Sequence, residues 1–329
     1  MFQVIGVDIG YGFVKITDGI KGYSFPSVIG DGNIDPTYSI EGNTVIPIND
    51  LKIRINGKLY FVGKYALRHS AYLHRDLSQS RAVENDLEIL YLTALSLFCS
   101  DSTNSFKVVT GLPVDRMHMA GELKERIGGE KSVAVGRNNE FYGQRIIIDD
   151  LVIVPQPLGT YWSEYLDSFG RISDGVDGRV GIIDIGFKTT DLSVLEDGEY
   201  VASKSKSTFT GLSNAYRNIS TKIASLYGIE RESYALDEVV IKRKIRVRGE
   251  SVDISDLVNE EFKKLAVNTL AEVNSIWNIA EFDALILSGG GGQSLSPFML
   301  PHLPHGRLAK SPLSSNCSGY YNWGVKLWK

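Results

Sequence analysis

The sequence predicts a chain of two domains built on a similar plan, with strands and helices in both. Its 329 residues correspond to about two domains at roughly 100–200 residues each. Strand-like runs alternate with segments of helical period along the length. A segment is also echoed. Val4-Ile5-Gly6-Val7-Asp8-Ile9-Gly10-Tyr11 returns as Val180-Gly181-Ile182-Ile183-Asp184-Ile185-Gly186-Phe187, with Asp8 and Asp184 176 positions apart. Each copy is an apolar strand, then Asp-Ile-Gly-aromatic, then a second strand-like run. Each domain is therefore expected to open on a hairpin whose turn begins at Asp-x-Gly.

In chain order, 44–48, 51–55 and 59–63 read as short strands between Pro and Asn breaks. Ala82 to Phe98 carries Leu87, Leu90, Tyr91, Ala94, Leu95 and Phe98 at helical spacing. Phe106–Thr110 is a strand closed by Gly111-Leu112-Pro113, and 131–136, 141–147 and 150–154 read as three more. Pro155-Gln156-Pro157-Leu158-Gly159 leads into a helix to about Phe169. Ser168 to Gly178, rich in Gly, Asp and Ser, is the expected interdomain joint. Beyond it, 182–183, 192–195 and 200–203 form a strand series, and a helix runs from Gly211 to about Tyr227. Residues 239–247 and 251–254 read as a hairpin, and Ser255 as the N-cap of a helix to about Ala280. A strand over Ala284–Leu287 meets Ser288-Gly289-Gly290-Gly291-Gly292, and 316–329 reads as a short C-terminal helix.

Composition narrows the function classes. Apolar residues make up 43% and charged residues 22%, the balance of a globular protein. No apolar run approaches the ~18 residues of a membrane span, and the N-terminus lacks a signal-peptide pattern. The expectation is a cytoplasmic protein with no membrane role. With 35 basic against 39 acidic residues and a net charge of −4, coating of nucleic acid by bulk charge is excluded and no direct sequence-specific nucleic-acid binding is expected. Cys99 and Cys317 read as reduced thiols. The N-x-[ST] matches at Asn218 and Asn316 are then chance.

The glycine clusters invite a nucleotide. A P-loop is excluded: Gly57 to Gly63-Lys64 is one residue too long and ends in Tyr65. A dinucleotide fingerprint is excluded because Lys15 stands where the third Gly belongs and Phe13–Thr17 has strand character. A hairpin turn remains, in which glycines let backbone amides approach phosphate and successive N–H groups form an anion nest. Lys15 adds positive charge. Asp8 repels phosphate unless a hydrated Mg²⁺ intervenes, and Asp184 supplies a matching carboxylate. One nucleoside triphosphate held by both hairpins explains the duplication. The bland reading of a single Asp-x-Gly is only a turn, and that of Gly289–Gly292 alone is a flexible loop.

These residues resemble the signature of the actin, DnaK-type chaperone and sugar-kinase superfamily. Asp8-Ile9-Gly10-Tyr11-Gly12 with Lys15 is similar to the first phosphate motif, and Asp184-Ile185-Gly186 with Thr189 to the second. Leu287-Ser288-Gly289-Gly290-Gly291 is similar to the adenosine motif. Pro155–Gly159 resembles the first connecting segment and Ser318-Gly319-Tyr320 the second, which departs from the usual small-residue pattern at Cys317-Ser318. Val109–Pro113, Phe25-Pro26-Ser27 and Gly63-Lys64-Tyr65-Ala66 are similar to segments of bacterial and archaeal actin-like proteins of the ParM type.

The resemblance implies a two-domain α/β actin-like ATPase fold, with a duplicated sheet-plus-helices core around an interdomain nucleotide cleft. Domain I would span 1–169 joined by 311–329, and domain II 170–310. It implies ATP or GTP with a hydrated Mg²⁺ that Asp8 and Asp184 orient through its waters. Phosphate contacts would come from Gly10, Tyr11, Gly12, Lys15, Gly186, Phe187, Lys188 and Thr189, nucleoside contacts from Gly289, Gly290 and Gly291, and Gln156 would position the attacking water. An amide is too weak a base to deprotonate water, but it orients water for in-line attack. The implied function is nucleotide-driven filament formation, with plasmid or cargo segregation through a DNA-binding adaptor. Two alternatives stay open: a small-molecule kinase of the superfamily, which needs an Asp base, and a nucleotide switch that does not polymerise. The basic run Lys242–Arg248 reads as the solvated face of a hairpin with Ile245 and Val247 inward, balanced by Asp256, Glu260 and Glu261. His302 and His305 read as loop residues rather than metal ligands.

Overall fold

An unbroken apolar run, Val4 to Val7, suits a strand covered on both faces, and it forms the buried centre of β1 (Gln3–Ile9). The structure is a computed structural model and describes residues 2–32, 47–70, 73–74, 81–100, 103–137, 140–173, 178–231 and 236–329. The chain divides into two compact units: Met1–Leu112 with Arg116–Ser173 and Asn316–Lys329, and Pro113–Asp115 with Asp174–Ser315. The architecture is the two-domain α/β fold expected.

In the first unit β1 is followed by β2 (Phe13–Thr17), β3 (Gly22–Pro26), β4 (Ile29–Asp31), β5 (Leu51–Ile55), β6 (Lys58–Val62), β7 (Leu73–His74), β8 (Thr103–Leu112), β9 (Gly129–Arg137) and β10 (Glu140–Pro155). Among the described residues they form one sheet in the order β3-β2-β1-β8-β10-β9-β5-β6-β4-β7. β1, β8 and β10 run parallel, and the β1–β2 hairpin is antiparallel. The strands expected over 141–147 and 150–154 are a single strand, β10, which absorbs the irregularity as a bulge between Ile148 and Asp150. Of the expected strand at 44–48, residues 44–46 lie outside the described residues, and Pro47–Asn49 is a 3₁₀ turn. Helix α1 is Lys64–His69, α2 is Arg81–Ser96 and α3 is Ala120–Ile127. α2 lays Leu90, Leu92 and Leu95 into the core beside Ile5, Phe106 and Val108.

Helix α4 (Leu158–Tyr165) stops short of the Phe169 expected, because the Asp167 side chain forms a turn of its own. Its Oδ1 accepts the Phe169 and Arg171 amides, each at 2.9 Å, and Gly170 takes φ +73°.

The second unit repeats the plan. β11 (Arg179–Ile185) and β12 (Thr190–Glu196) form its hairpin, with β13 (Glu199–Tyr200) and β14 (Lys206–Thr208) beside β12. Helices α5 (Leu212–Tyr227) and α6 (Asp237–Lys242) precede a separate hairpin of β15 (Lys244–Val247) and β16 (Glu250–Asp253). Helix α7 (Ser255–Ile276) follows, then β17 (Ala284–Ser288), α8 (Gly289–Met299) and β18 (Gly306–Leu308). β17 runs parallel to β11, as β8 does to β1. Residues 239–242 are helical rather than part of the expected hairpin. Ile245 is buried and Val247 half-buried, as expected. Ser255 is the first residue of α7, not its cap, and its amide is taken by Asp253 Oδ1 at 2.7 Å. Glu260 and Glu261 do not balance the basic run; they pair with Lys222 and Lys264.

Helix α9 (Ser315–Trp328) supplies the first unit's last layer. It lies against bare backbone. A Cβ on Gly6 would overlap the Cys317 carbonyl, and one on Gly319 the Gly159 carbonyl. A Cβ on Gly159 would come within 2.6 Å of Asn316 Cα. Asn316 is itself buried, its Oδ1 accepting Thr160 N at 3.0 Å and Thr160 Oγ1 at 2.8 Å. Both cysteines are buried thiols outside any disulfide, and burial pushes the Cys317 thiol up to about 12, so it stays neutral.

Gly319→Ala therefore forces two helix backbones apart. It should cost about 1–3 kcal/mol and lower the thermal midpoint by several degrees. Gly121→Ala in α3, where a Cβ meets nothing within 4 Å, should be neutral or stabilise by about 1 kcal/mol through helix propensity. Differential scanning calorimetry of the two variants checks the contrast.

Candidate functional site

The two echoed hairpins match in hydrogen-bond detail as well as in sequence. In the first, Asp8 stands opposite Lys15 across the β1–β2 ladder, and Gly10 N donates to Phe13 O at 3.1 Å. In the second, Asp184 stands opposite Asp191 across β11–β12, and Gly186 N donates to Thr189 O at 2.8 Å. Both turns are the same structure. They differ in what faces the aspartate: a cation in one copy and a second carboxyl in the other.

Asp8 is 2% exposed. Lys15 Nζ lies 3.1 Å from its Oδ2, and Gln156 Nε2 donates to its Oδ1 at 3.1 Å. The structure thus brings together three of the sequence-expected residues: Asp8, Lys15 and Gln156. A carboxylate only accepts hydrogen bonds, so the contact must use the Gln156 amide NH₂. The Gln156 side-chain carbonyl oxygen is then the end that can accept a hydrogen bond from water. Gln156 N donates to Leu112 O at 2.8 Å, which ties the residue to the end of β8.

Phe25-Pro26-Ser27 contributes in a way its sequence did not reveal. Ser27, 2% exposed, donates through Oγ to Gly10 O at 2.5 Å and through its amide to Gly12 O at 3.0 Å. It clamps the carbonyls of the first turn. No spacing rule points to it, because the partner lies across a strand. Thr110 Oγ1 donates to Val7 O at 2.7 Å and is hydrogen-bonded to the buried Tyr91 hydroxyl, bracing β1 just before Asp8. Tyr11 packs its ring on the core, with the Arg116 guanidinium 5.5 Å from the ring centroid. What Tyr11 can offer a phosphate is its backbone.

In the second unit Asp184 is 4% exposed. The loop after it is held from below: Leu212 N donates to Gly186 O at 3.1 Å and Ser213 N to Phe187 O at 2.7 Å. The first amides of α5 are consumed by this loop. Phe187 packs edge-on against Tyr216 at 5.5 Å, which keeps its ring in the core, and Lys188 follows it in the same turn. Thr189 Oγ1 donates to Asp191 Oδ2 at 3.1 Å.

The Gly289–Gly292 run is not a loop; it forms the first turn of α8. Gly289 has φ +80°, which favours glycine. A Cβ there would lie 2.5 Å from Asp184 Oδ1, and one on Gly291 would overlap the Ile185 side chain. A Cβ on Gly290 would meet only Leu313 at 3.8 Å and Leu212 at 3.9 Å, ordinary contacts. Packing therefore demands Gly289 and Gly291 but not Gly290. Ser288, opposite Asp184 in the β11–β17 ladder, is fully buried, and its hydroxyl has no hydrogen-bond partner among the described residues.

Burial raises the Asp191 carboxyl to about 7, opposed by its hydrogen bond from Ser207 and reinforced by the Asp184 charge. The folded state therefore holds a proton that the unfolded chain releases near pH 4. For this group, stability is greatest below pH 4 and falls as pH rises from about 4 to 7. Nucleotide-free Asp191→Asn should lose that part of the slope, measurable by urea denaturation at pH 5 and pH 7.5.

Comparisons with known proteins agree with this fold. Residues 6–159 match the model of the actin-like protein N-terminal domain. Residues 182–299 match that of the archaeal actin homologue MreB-like C-terminal domain. A ParM from a 15-stranded filament of Clostridium botulinum has a TM-score of 0.80 at 23% identity, over 98% of this chain and 99% of that one. An archaeal actin homologue, Ta0583, has a TM-score of 0.81 at 20% identity, over 99% of this chain and 100% of that one. Bacillus thuringiensis ParM solved with AMPPNP has a TM-score of 0.74 at 18% identity, over 97% of each chain. No curated protein matches the chain. The duplicated Asp-Ile-Gly hairpins, the fold and the two domain matches lead to one conclusion: this chain belongs to the actin-like proteins.

Proposed function

We propose that this protein is an actin-like ATPase whose nucleotide state governs assembly into filaments of its own copies. The observation that carries this is the Asp8 carboxylate bonded on one side to Lys15 and on the other to Gln156, in a hairpin duplicated around Asp184. The donor set suits a purine nucleoside triphosphate with Mg²⁺. Asp8 and Asp184 are buried carboxylates, hard oxygen donors of the kind Mg²⁺ accepts through its waters. The Ser288 hydroxyl, buried and unpartnered among the described residues, adds a polar atom beside Asp184. When bound, Mg²⁺ would supply charge neutralisation at the phosphates.

The chain's own residues then have separate tasks. Lys15 places a cation at the first turn, while Asp8 holds its ammonium in one position. Gly10, Tyr11 and Gly12 present backbone to one set of phosphate oxygens, and Gly186, Phe187, Lys188 and Thr189 to another. Gly289, Gly290 and Gly291 border the nucleoside. Gln156, its amide nitrogen held by Asp8, offers its carbonyl oxygen to the attacking water. Slow hydrolysis by a positioned water suits a timer. The triphosphate favours the assembling conformation and hydrolysis relaxes it, which requires the nucleotide to bind the two states with different affinity. ParM of Clostridium botulinum was solved as a filament, and Ta0583 with ADP. Those properties support the reading for this chain, and the same reading extends to moving plasmid or other cargo through a DNA-binding adaptor.

Mg²⁺-ATP should produce a rise in light scattering above a critical protein concentration, absent without nucleotide. Gln156→Ala should still polymerise and bind nucleotide, but release phosphate about 10²-fold more slowly, in line with lost water positioning. A wild-type rate of phosphate release would remove Gln156 from the mechanism. Gly290→Ala should keep the wild-type thermal midpoint, since its Cβ has room, yet weaken nucleotide binding about tenfold in a fluorescent-nucleotide titration. Unchanged affinity would take Gly290 out of the site.

A further inference from the structure

Gln156 is held by more than its side chain. Its backbone carbonyl accepts a hydrogen bond from the Tyr320 hydroxyl at 2.8 Å and a longer one from Gly159 N at 3.2 Å. Tyr320 lies on α9, fully buried, and enters from a part of the chain 164 positions away. Its phenol oxygen occupies the space where a side chain at position 111 would stand: a Cβ on Gly111 would overlap it. Gly111 belongs to β8, next to Leu112, whose carbonyl accepts the Gln156 amide. The absent side chain at 111 thus lets the tyrosine reach the Gln156 carbonyl.

We infer that Tyr320 is a positioning residue for Gln156, through which the C-terminal helix sets the rate of nucleotide hydrolysis; this rests on the role given to Gln156 above. The peptide carbonyl of Gln156 fixes the plane from which its side chain departs. Leu112 O holds the peptide before the residue and the Tyr320 hydroxyl the peptide after it, so both planes that flank the side chain are tied. The side chain is then delivered to Asp8 Oδ1 at 3.1 Å with little freedom. Without the hydroxyl, the Gly159 amide still satisfies the carbonyl, so the fold persists but the side chain gains play. Misplacement of a positioning group by about 1 Å can cost up to 10²-fold in rate. The water-orienting amide is the group that would feel it.

The test is phosphate release and nucleotide affinity in Tyr320→Phe, Gln156→Ala and the double variant, with Tyr161→Phe as control. Tyr161 is a buried tyrosine of α4 whose hydroxyl has no hydrogen-bond partner among the described residues, so its loss should leave hydrolysis unchanged. Tyr320→Phe should lower kcat about tenfold, with KM and nucleotide Kd within twofold of wild type. In the Gln156→Ala background, Tyr320→Phe should have no further effect on kcat, because it acts through the missing side chain. A merely structural tyrosine would instead lower affinity and rate together and add to Gln156→Ala. That additive pattern, or a wild-type kcat in Tyr320→Phe while Gln156→Ala is slow, overturns the inference alone. A wild-type kcat in Gln156→Ala overturns the reading of Gln156 and the inference with it. If Tyr320→Phe does not fold, 4-fluorophenylalanine at position 320, which fills the ring's space but donates no hydrogen bond, is measured in its place against the same outcomes.

Discussion

At Gly159 and Gly319, α4 and α9 touch through backbone with no side chain between them. Much of the first unit's functional geometry depends on that contact. Because the helices approach so closely, Asn316 reaches Thr160 and Tyr320 reaches Gln156 O. The same closeness on the sheet side, through Gly6 and Gly111, seats α9 directly on β1 and β8. Glycine is the residue that permits such approach, since any Cβ would demand backbone movement. The cost of these glycines in chain entropy is offset by the dense packing they allow.

The duplicated hairpin shows how one local structure acquires two electrostatic settings. Cross-strand neighbours share a face, so whatever stands opposite the aspartate decides its character. Lys15 opposite Asp8 makes an ion pair. Asp191 opposite Asp184 cannot, and burial with the neighbouring charge pushes its proton affinity up to about 7 while Ser207 and Thr189 hydroxyls hold it in place. The short segment Pro113–Asp115 joins this network, with Val114 N 3.4 Å from Asp191 Oδ1.

Much of the fold was legible because its signals are local. The echo at Asp8 and Asp184 predicted matching hairpins, and the ladders agree down to the Gly10 and Gly186 turn bonds. Helical spacing over Ala82–Phe98 marked α2, and Gly211 the start of α5. Where the reading failed, tertiary contacts decided. β10 continues through a bulge because β8 and β9 pair with it along its length. The Gly289–Gly292 run is helical because Gly289 and Gly291 must pass over Ile185 and Asp184. Helical propensity alone argues against four glycines there.

The sequence by itself determined the periodic elements, the duplication and the chemical types at the candidate site: two aspartates, a lysine, a glutamine and three glycine clusters. These follow from residue identity and short-range spacing. Only the tertiary structure decided which of them meet. Asp8 and Gln156 lie 148 positions apart and Tyr320 a further 164, separations at which no periodicity acts. Ser27 on the first turn and Tyr320 on the Gln156 carbonyl are products of sheet order and of helices packed on bare backbone. Such contacts arise because distant segments compete for the same buried space, and that competition is resolved only when the chain is folded.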